Sequence, residues 1–193
     1  MLEKISKEFY EAGTTFDGFL KEGTEDEAKR TQLYYSKSTK NFTPEELQIN
    51  IEHPINLMLV ATTWCWDSQT NVPLIVHLAD QNPNINLRIF NKNKYPFLID
   101  KINGGEKVPQ LLFYTKDFYY LDRWVERSTL GYKLYADSRK EYGWKEENKS
   151  EFVKQYRKEF LRQQKSLERA VLDEIQTILL RADEIQKSTS RFA

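Results

Sequence analysis

Hydrophobic and polar positions alternate in two different rhythms along this chain, and the switch between them divides it. Up to residue 53 apolar side chains such as Leu2, Ile5, Phe9 and Tyr10 recur at helical spacing. A second helical stretch runs from Thr24 to about Asn41, with Gly13, Gly18 and Gly23 as punctuation. Thr43-Pro44-Glu45-Glu46 is a capping box: the Thr43 hydroxyl accepts from first-turn amides, Pro44 suits the first helical position, and Glu46 reaches back. It predicts a helix from Pro44 to about His53. The rhythm then changes to Ile55-Asn56-Leu57-Met58-Leu59-Val60-Ala61, a nearly continuous apolar run of strand length, as expected for a strand covered on both faces.

Trp66 to about Asn82 reads as a helix with Pro73 inside it, and Ile85 to Phe90 as a second strand. Strand, helix, strand makes a right-handed crossover with parallel strands. Pro96 opens a short helix through Ile102, ended by Gly104-Gly105, and the runs Val108 to Tyr114 and Phe118 to Val125 form an antiparallel hairpin. After Gly143 neither Gly nor Pro occurs. One long helix is expected there, with a stripe of Val153, Tyr156, Phe160, Leu167, Val171, Ile175, Ile178 and Ile185. That stripe packs on the domain or pairs two chains, Gln163 and Gln164 weakening the seam of a dimer. The organisation is thus 1–53 as an N-terminal helical extension, 54–142 as an α/β domain, and 143–193 as a C-terminal amphipathic helix.

Composition narrows the function classes. With 193 residues, 39% apolar and 13% aromatic, the chain has ample material for one packed core. Its 29 basic and 29 acidic residues balance, so no global field draws it to nucleic acid or an anionic membrane. The charged start MLEKISKEFYEAG lacks the apolar core of a secretory signal, and Ile55 to Ala61 falls far short of the roughly 20 residues that span a bilayer. A single cysteine and two distant histidines argue against a disulfide framework or a zinc site, and no cofactor is expected. A reducing cytoplasm fits best.

The chemistry concentrates in Thr62-Thr63-Trp64-Cys65-Trp66-Asp67-Ser68, where the first strand ends and a helix begins. First-turn amides there lack backbone partners and the helix dipole is positive, which favours an anion. Thiols in such places fall from about 8.5 into a range of roughly 3.5 to 7.5. Cys65 is therefore the candidate nucleophile, against the bland reading of a buried structural cysteine. Asp67 opposes its ionisation by like-charge repulsion. Ser68 either donates its hydroxyl to the thiolate or satisfies helix amides.

On these residues the chain resembles the thioredoxin superfamily over roughly Ile55 to Tyr142. Trp64-Cys65-x-x-Ser68 is similar to the family's Trp-Cys-x-x-Cys motif with serine for the second cysteine, Pro73 to its kink proline, and Val108-Pro109 to its cis-proline beside the sulfur. The resemblance implies a thioredoxin-like fold, a central mixed sheet flanked by helices. It also implies thiol–disulfide exchange with Cys65 and Ser68 as catalytic residues, and Trp64, Trp66, Asp67, Val108 and Pro109 at the substrate. Two departures stand out: Ser68 cannot resolve a mixed disulfide, and Leu59 sits where two-cysteine members often carry a buried acid. Turnover then needs an outside thiol, with a protein disulfide or a low-molecular-weight thiol as partner. The alternatives are a redox-inactive binding module of the same fold and an engineered Cys-to-Ser form of a two-cysteine enzyme.

Other features read as structural. Lys154, Lys158, Arg162, Lys165 and Arg169 form a helical stripe of the kind that contacts an acidic partner or nucleic acid, but the expected role is a solvated outer face, diluted by Glu159, Glu168 and Asp173. His77 lies twelve residues past Cys65, more than three turns away at about 1.5 Å per residue, too far to serve the thiol as base. Trp144 and tyrosines 132, 135 and 142 read as a packing layer between domain and terminal helix.

Overall fold

The computed structural model describes residues 3–102 and 105–190. Leu2 and Gly104 lie outside the described residues. Strand β1 (Ile55–Ala61) is buried along its whole length, as its unbroken apolar run requires. It pairs in parallel with β2 (Ile85–Asn91), Ile55 opposite Ile85, and antiparallel with β3 (Gln110–Thr115), Val60 opposite Gln110. Strand β4 (Tyr120–Val125) closes a mixed sheet of order β2-β1-β3-β4. The hairpin turns at Phe118, whose φ of 66° lies in the left-handed region.

Period-two alternation sends the two faces of the sheet into separate cores. Leu57, Leu59, Ala61, Leu111 and Phe113 pack with helix α5 (Trp66–Asp80) and with Val171, Leu172, Ile175 and Leu179 of the last helix. Met58, Val60, Leu112 and Tyr114 face Ile5 and Tyr10 of the N-terminal segment and Leu98 of the short helix Phe97–Lys101. Each such side chain contributes roughly 1.5–3 kcal/mol on burial, so these two layers carry most of the stability. The N-terminal segment also protects the sheet margins. Thr14 exchanges backbone hydrogen bonds with Ile89 on β2, and the Tyr120 amide of β4 donates to the Glu3 carbonyl.

The N-terminal region contains four helices, Lys7–Glu11, Phe16–Lys21, Glu25–Asn41 and Pro44–Leu47, of which the third is called α3 below. The capping box at Thr43 forms, yet its helix stops at Leu47 instead of reaching His53. Side chains from the end of α5 and beyond capture the backbone that would have continued it. Asn82 donates to the Leu47 carbonyl at 2.9 Å and accepts from the Ile49 amide at 2.8 Å, while Asn84 donates to the Ile51 carbonyl.

The C-terminal region also differs from a single helix. Helix α7 (Thr129–Tyr142) ends at Gly143, whose φ of 67° suits glycine. A 3-10 turn, then α8 (Lys149–Arg162) and α9 (Gln164–Ser190), follow. The break at Gln163 lets two stripes face two surfaces. Phe152, Tyr156 and Phe160 of α8 join Tyr34, Leu134 and Leu167 in a third, largely aromatic cluster, whereas α9 lies on the sheet and α5. Val153 is half-buried and Ile185 is exposed, so neither sits at the centre of its stripe. Asp183 anchors α9: it is buried and accepts from the Glu52 and His53 amides and the His53 ring.

Candidate active site

Cys65 caps the N-terminus of α5, immediately beyond β1, in extended backbone conformation. Strand β1 delivers it to the end of the sheet where β3 begins, and the peptide bond between Val108 and Pro109 is cis. The half-buried Cys65 thiol donates to the Val108 carbonyl at 3.4 Å. Ser68 is fully buried one turn on, and its hydroxyl accepts from the Thr62 amide at 3.4 Å. Pro109 closes the other side through its carbonyl, which accepts from the Glu126 amide at 2.7 Å.

The loop before the cysteine is fixed from the N-terminal region. The Thr63 hydroxyl donates to Glu27 at 2.9 Å, and the same carboxylate oxygen caps α3 by accepting from the Thr24 amide. Gln69 reaches back to donate to the Thr63 carbonyl at 2.7 Å. Gly23 meets this loop so closely that a Cβ there would lie 2.7 Å from that of Thr63. This bracing holds Trp64 outward, 58% exposed beside the sulfur.

Electrostatics at the thiol run opposite to the helix-terminus expectation. Burial pushes the Cys65 thiol above its ordinary value, and the nearby Asp67 charge adds to this. The amides of Ser68 and Asp67 and the Ser68 hydroxyl pull the other way without prevailing. The resting group is a thiol that donates a hydrogen bond, not a thiolate held by amides. The physical reason is that desolvation outweighs the few exposed amides of one helical turn.

A family model described as Thioredoxin matches residues 13–139. The chain belongs to the thioredoxin family. Its architecture agrees with that of solved structures. One is a protein of unknown function from Pseudomonas aeruginosa, 20% identical, with a TM-score of 0.66 over 91% of this chain and 96% of that one. Another is an HIV epitope-scaffold, 22% identical, with a TM-score of 0.65 over 89% of this chain and 95% of that one. No curated protein matches the chain. No helix among the described residues is long and apolar enough to cross a membrane.

Within this thioredoxin frame the residues singled out from sequence divide into two groups. Cys65 meets Val108, whose peptide bond to Pro109 is cis, and the buried Ser68 hydroxyl, while Trp64 is exposed at the position before the cysteine. Trp66 and Asp67 are turned into the C-terminal helices. The Trp66 ring meets Tyr34 of α3 and Phe160 of α8 edge-on at 5.6 and 5.8 Å, beneath the Arg157 guanidinium at 4.4 Å. Asp67 is buried and held by both ends of the Arg127 guanidinium, at 2.8 and 2.6 Å. Burial pushes the Asp67 carboxyl up to about 6 against the pull of Arg127. Leu59 is fully buried in the core, and His77 points to Tyr35, away from the thiol.

Sequence reasoning missed Arg127 and Glu126. Glu126, at a φ of 61°, lies next to Pro109, and its carboxylate meets Lys107 at 3.6 Å and Arg127 at 3.2 Å. Asn71 fixes this loop by donating to the Glu126 carbonyl. The signal available was Asp67 itself: a carboxylate on a buried helical turn requires a cation from somewhere.

Proposed function

We propose that this protein carries out thiol–disulfide exchange through Cys65 alone, taking a client disulfide or a small-thiol adduct into a mixed disulfide. A sulfur lone pair of Cys65 attacks one client sulfur, and the electron pair of the client S–S bond leaves on the other. That sulfur takes up the proton that Cys65 gives up. An external low-molecular-weight thiol, as a reducing cytoplasm would supply, then attacks the client sulfur, and the bonding pair returns to Cys65 with a proton. The net change is exchange of one client partner for the external thiol, with no other oxidant or reductant.

The observation that carries the reading is the Cys65 sulfur 3.4 Å from the Val108 carbonyl, beside the cis-proline peptide, with the Ser68 hydroxyl in place of a resolving sulfur. A thiol raised above its ordinary value is a strong nucleophile once ionised and a poor leaving group. Mixed disulfides at Cys65 should therefore form slowly near neutral pH and persist. Mass spectrometry after incubation with a small disulfide at pH 8.5 tests this. An adduct on Cys65, absent in Cys65→Ala and released by added thiol, is expected; no adduct on the folded protein would end the reading.

The same raised thiol supports a second reading, a binding module of this fold that holds its partner without exchange. Partner capture unchanged in Cys65→Ala would establish it.

A further inference from the structure

The outer face of α8, turned away from its buried residues Phe152, Tyr156 and Phe160, carries a shallow groove of about 610 Å³. Lys154, Arg157, Lys158 and Arg162 line it, with Val153 and the 47% exposed Leu161 between them. Chain-wide charge balance conceals this concentration of cations. Arg162 meets Glu159 at 3.1 Å and Lys154 meets Glu151 at 3.8 Å, so two of the four lining cations have a carboxylate beside them. Lys158 and Arg157 have no carboxylate partner among the described residues. The acids expected to dilute the stripe do so only in part. Glu168 turns inward to Asn41 and Gln164, and the break at Gln163 carries Arg169 off to Glu46 and Asp173.

We infer that this groove docks an acidic segment of the polypeptide whose disulfide Cys65 attacks. The inference rests on the exchange reaction proposed above. Adjacency is its first support: Arg157 lines the groove and lies over the ring of Trp66, the residue that follows Cys65. Dimensions are the second. Ser150 to Arg162 covers about 18 Å of helix at about 1.5 Å per residue, the span of roughly five or six extended residues at about 3.3 Å each. The lining separates polypeptide from nucleic acid. Val153 and Leu161 offer aliphatic contact between the cations, none of the lining residues is aromatic, and the Trp66 ring beneath is covered by Arg157, so the lining itself gives a base nothing to stack on.

The test uses two peptides of equal length, each carrying its cysteine as a mixed disulfide with a chromophoric aromatic thiol, one flanked by Asp and Glu and the other by Lys. Reaction with Cys65 releases the coloured thiol, and the mass of the adduct identifies the peptide bound. At low salt the acidic peptide should react about tenfold faster than the basic one, and the preference should vanish near 1 M salt, where the screening length is about 3 Å. Lys154→Glu with Lys158→Glu, both exposed, should remove the preference while a small neutral disulfide reacts at the parent rate. Equal rates for the two peptides, or a preference that survives the double substitution, would overturn the docking surface. So would an oligonucleotide that binds tightly at a salt concentration where the acidic peptide gains nothing. If the small neutral disulfide also fails to react with the parent protein, the exchange reading itself falls; if it reacts and the peptides do not differ, docking alone falls.

Discussion

The pH dependence of alkylation at Cys65 examines the balance of forces at the site most directly. A free thiol near its ordinary value of about 8.5 is roughly 3% ionised at pH 7. Cys65 stands above that value because burial and the Asp67 charge together outweigh the Ser68 and Asp67 amides. Its ionised fraction at pH 7 is therefore smaller still, and alkylation should climb about tenfold per pH unit from 6 to 8 without levelling. Because Cys65 is the sole cysteine, iodoacetamide with mass readout reports it without interference. Two variants separate the contributions. Ser68→Ala removes a hydroxyl that favours the thiolate and should slow alkylation at every pH below the plateau, whereas Asp67→Asn removes a like charge and should speed it. A rate already flat at pH 7 in the parent, or one insensitive to both substitutions, would refute this account of the thiol.

Other predictions concern what holds the site in place. Asp183 is lowered from 3.8 to about 2 because, despite burial, the His53 amide and ring, Lys187 and the Glu52 amide favour its charge. Its contribution, roughly 2 kcal/mol, is present above pH 4 and lost as pH falls through about 2. Asp183→Asn should therefore lower denaturant stability at pH 6 by about that amount, with the difference from the parent shrinking steadily below pH 4. Arg127→Met leaves the Asp67 carboxylate buried without its two-point partner and should cost about 3–5 kcal/mol, read from the urea midpoint. Gly13→Ala would bring a Cβ within 2.5 Å of the Phe90 ring and 2.8 Å of the Arg88 Cβ, so a loss of about 1–3 kcal/mol is expected by the same measurement.

Much of the scaffold was legible from local pattern. The run from Ile55 to Ala61 is buried at every position because it is apolar at nearly every position, and the helix after Cys65 starts where the strand-to-helix change predicts. The meeting of Cys65 with Val108 and Pro109 was legible only through resemblance, since forty-three residues separate the sulfur from its acceptor. Three features were decided by residues or surfaces that local pattern does not identify. The partner of Asp67 lies sixty residues away, the Asn82 and Asn84 side chains shorten a helix thirty-odd residues earlier, and the break at Gln163 serves two surfaces that a single periodic stripe cannot describe. The direction of the Cys65 shift was misread for a related reason: helix position can be counted along a chain, but solvent exclusion depends on everything folded around it.

The two residues that follow the sulfur are claimed by later parts of the chain, the indole by α8 and the carboxylate by the loop ahead of α7. The turn that carries the thiol is thus tied to the C-terminal helices and the loop before them. The Trp66 ring packs on α8 one peptide link from Cys65, so the appended helices help fix the position of the turn that carries the thiol. Excising residues 54–142 would strip the indole of Tyr34, Phe160 and Arg157 together, leaving the turn that carries Cys65 without the packing it has in the intact protein.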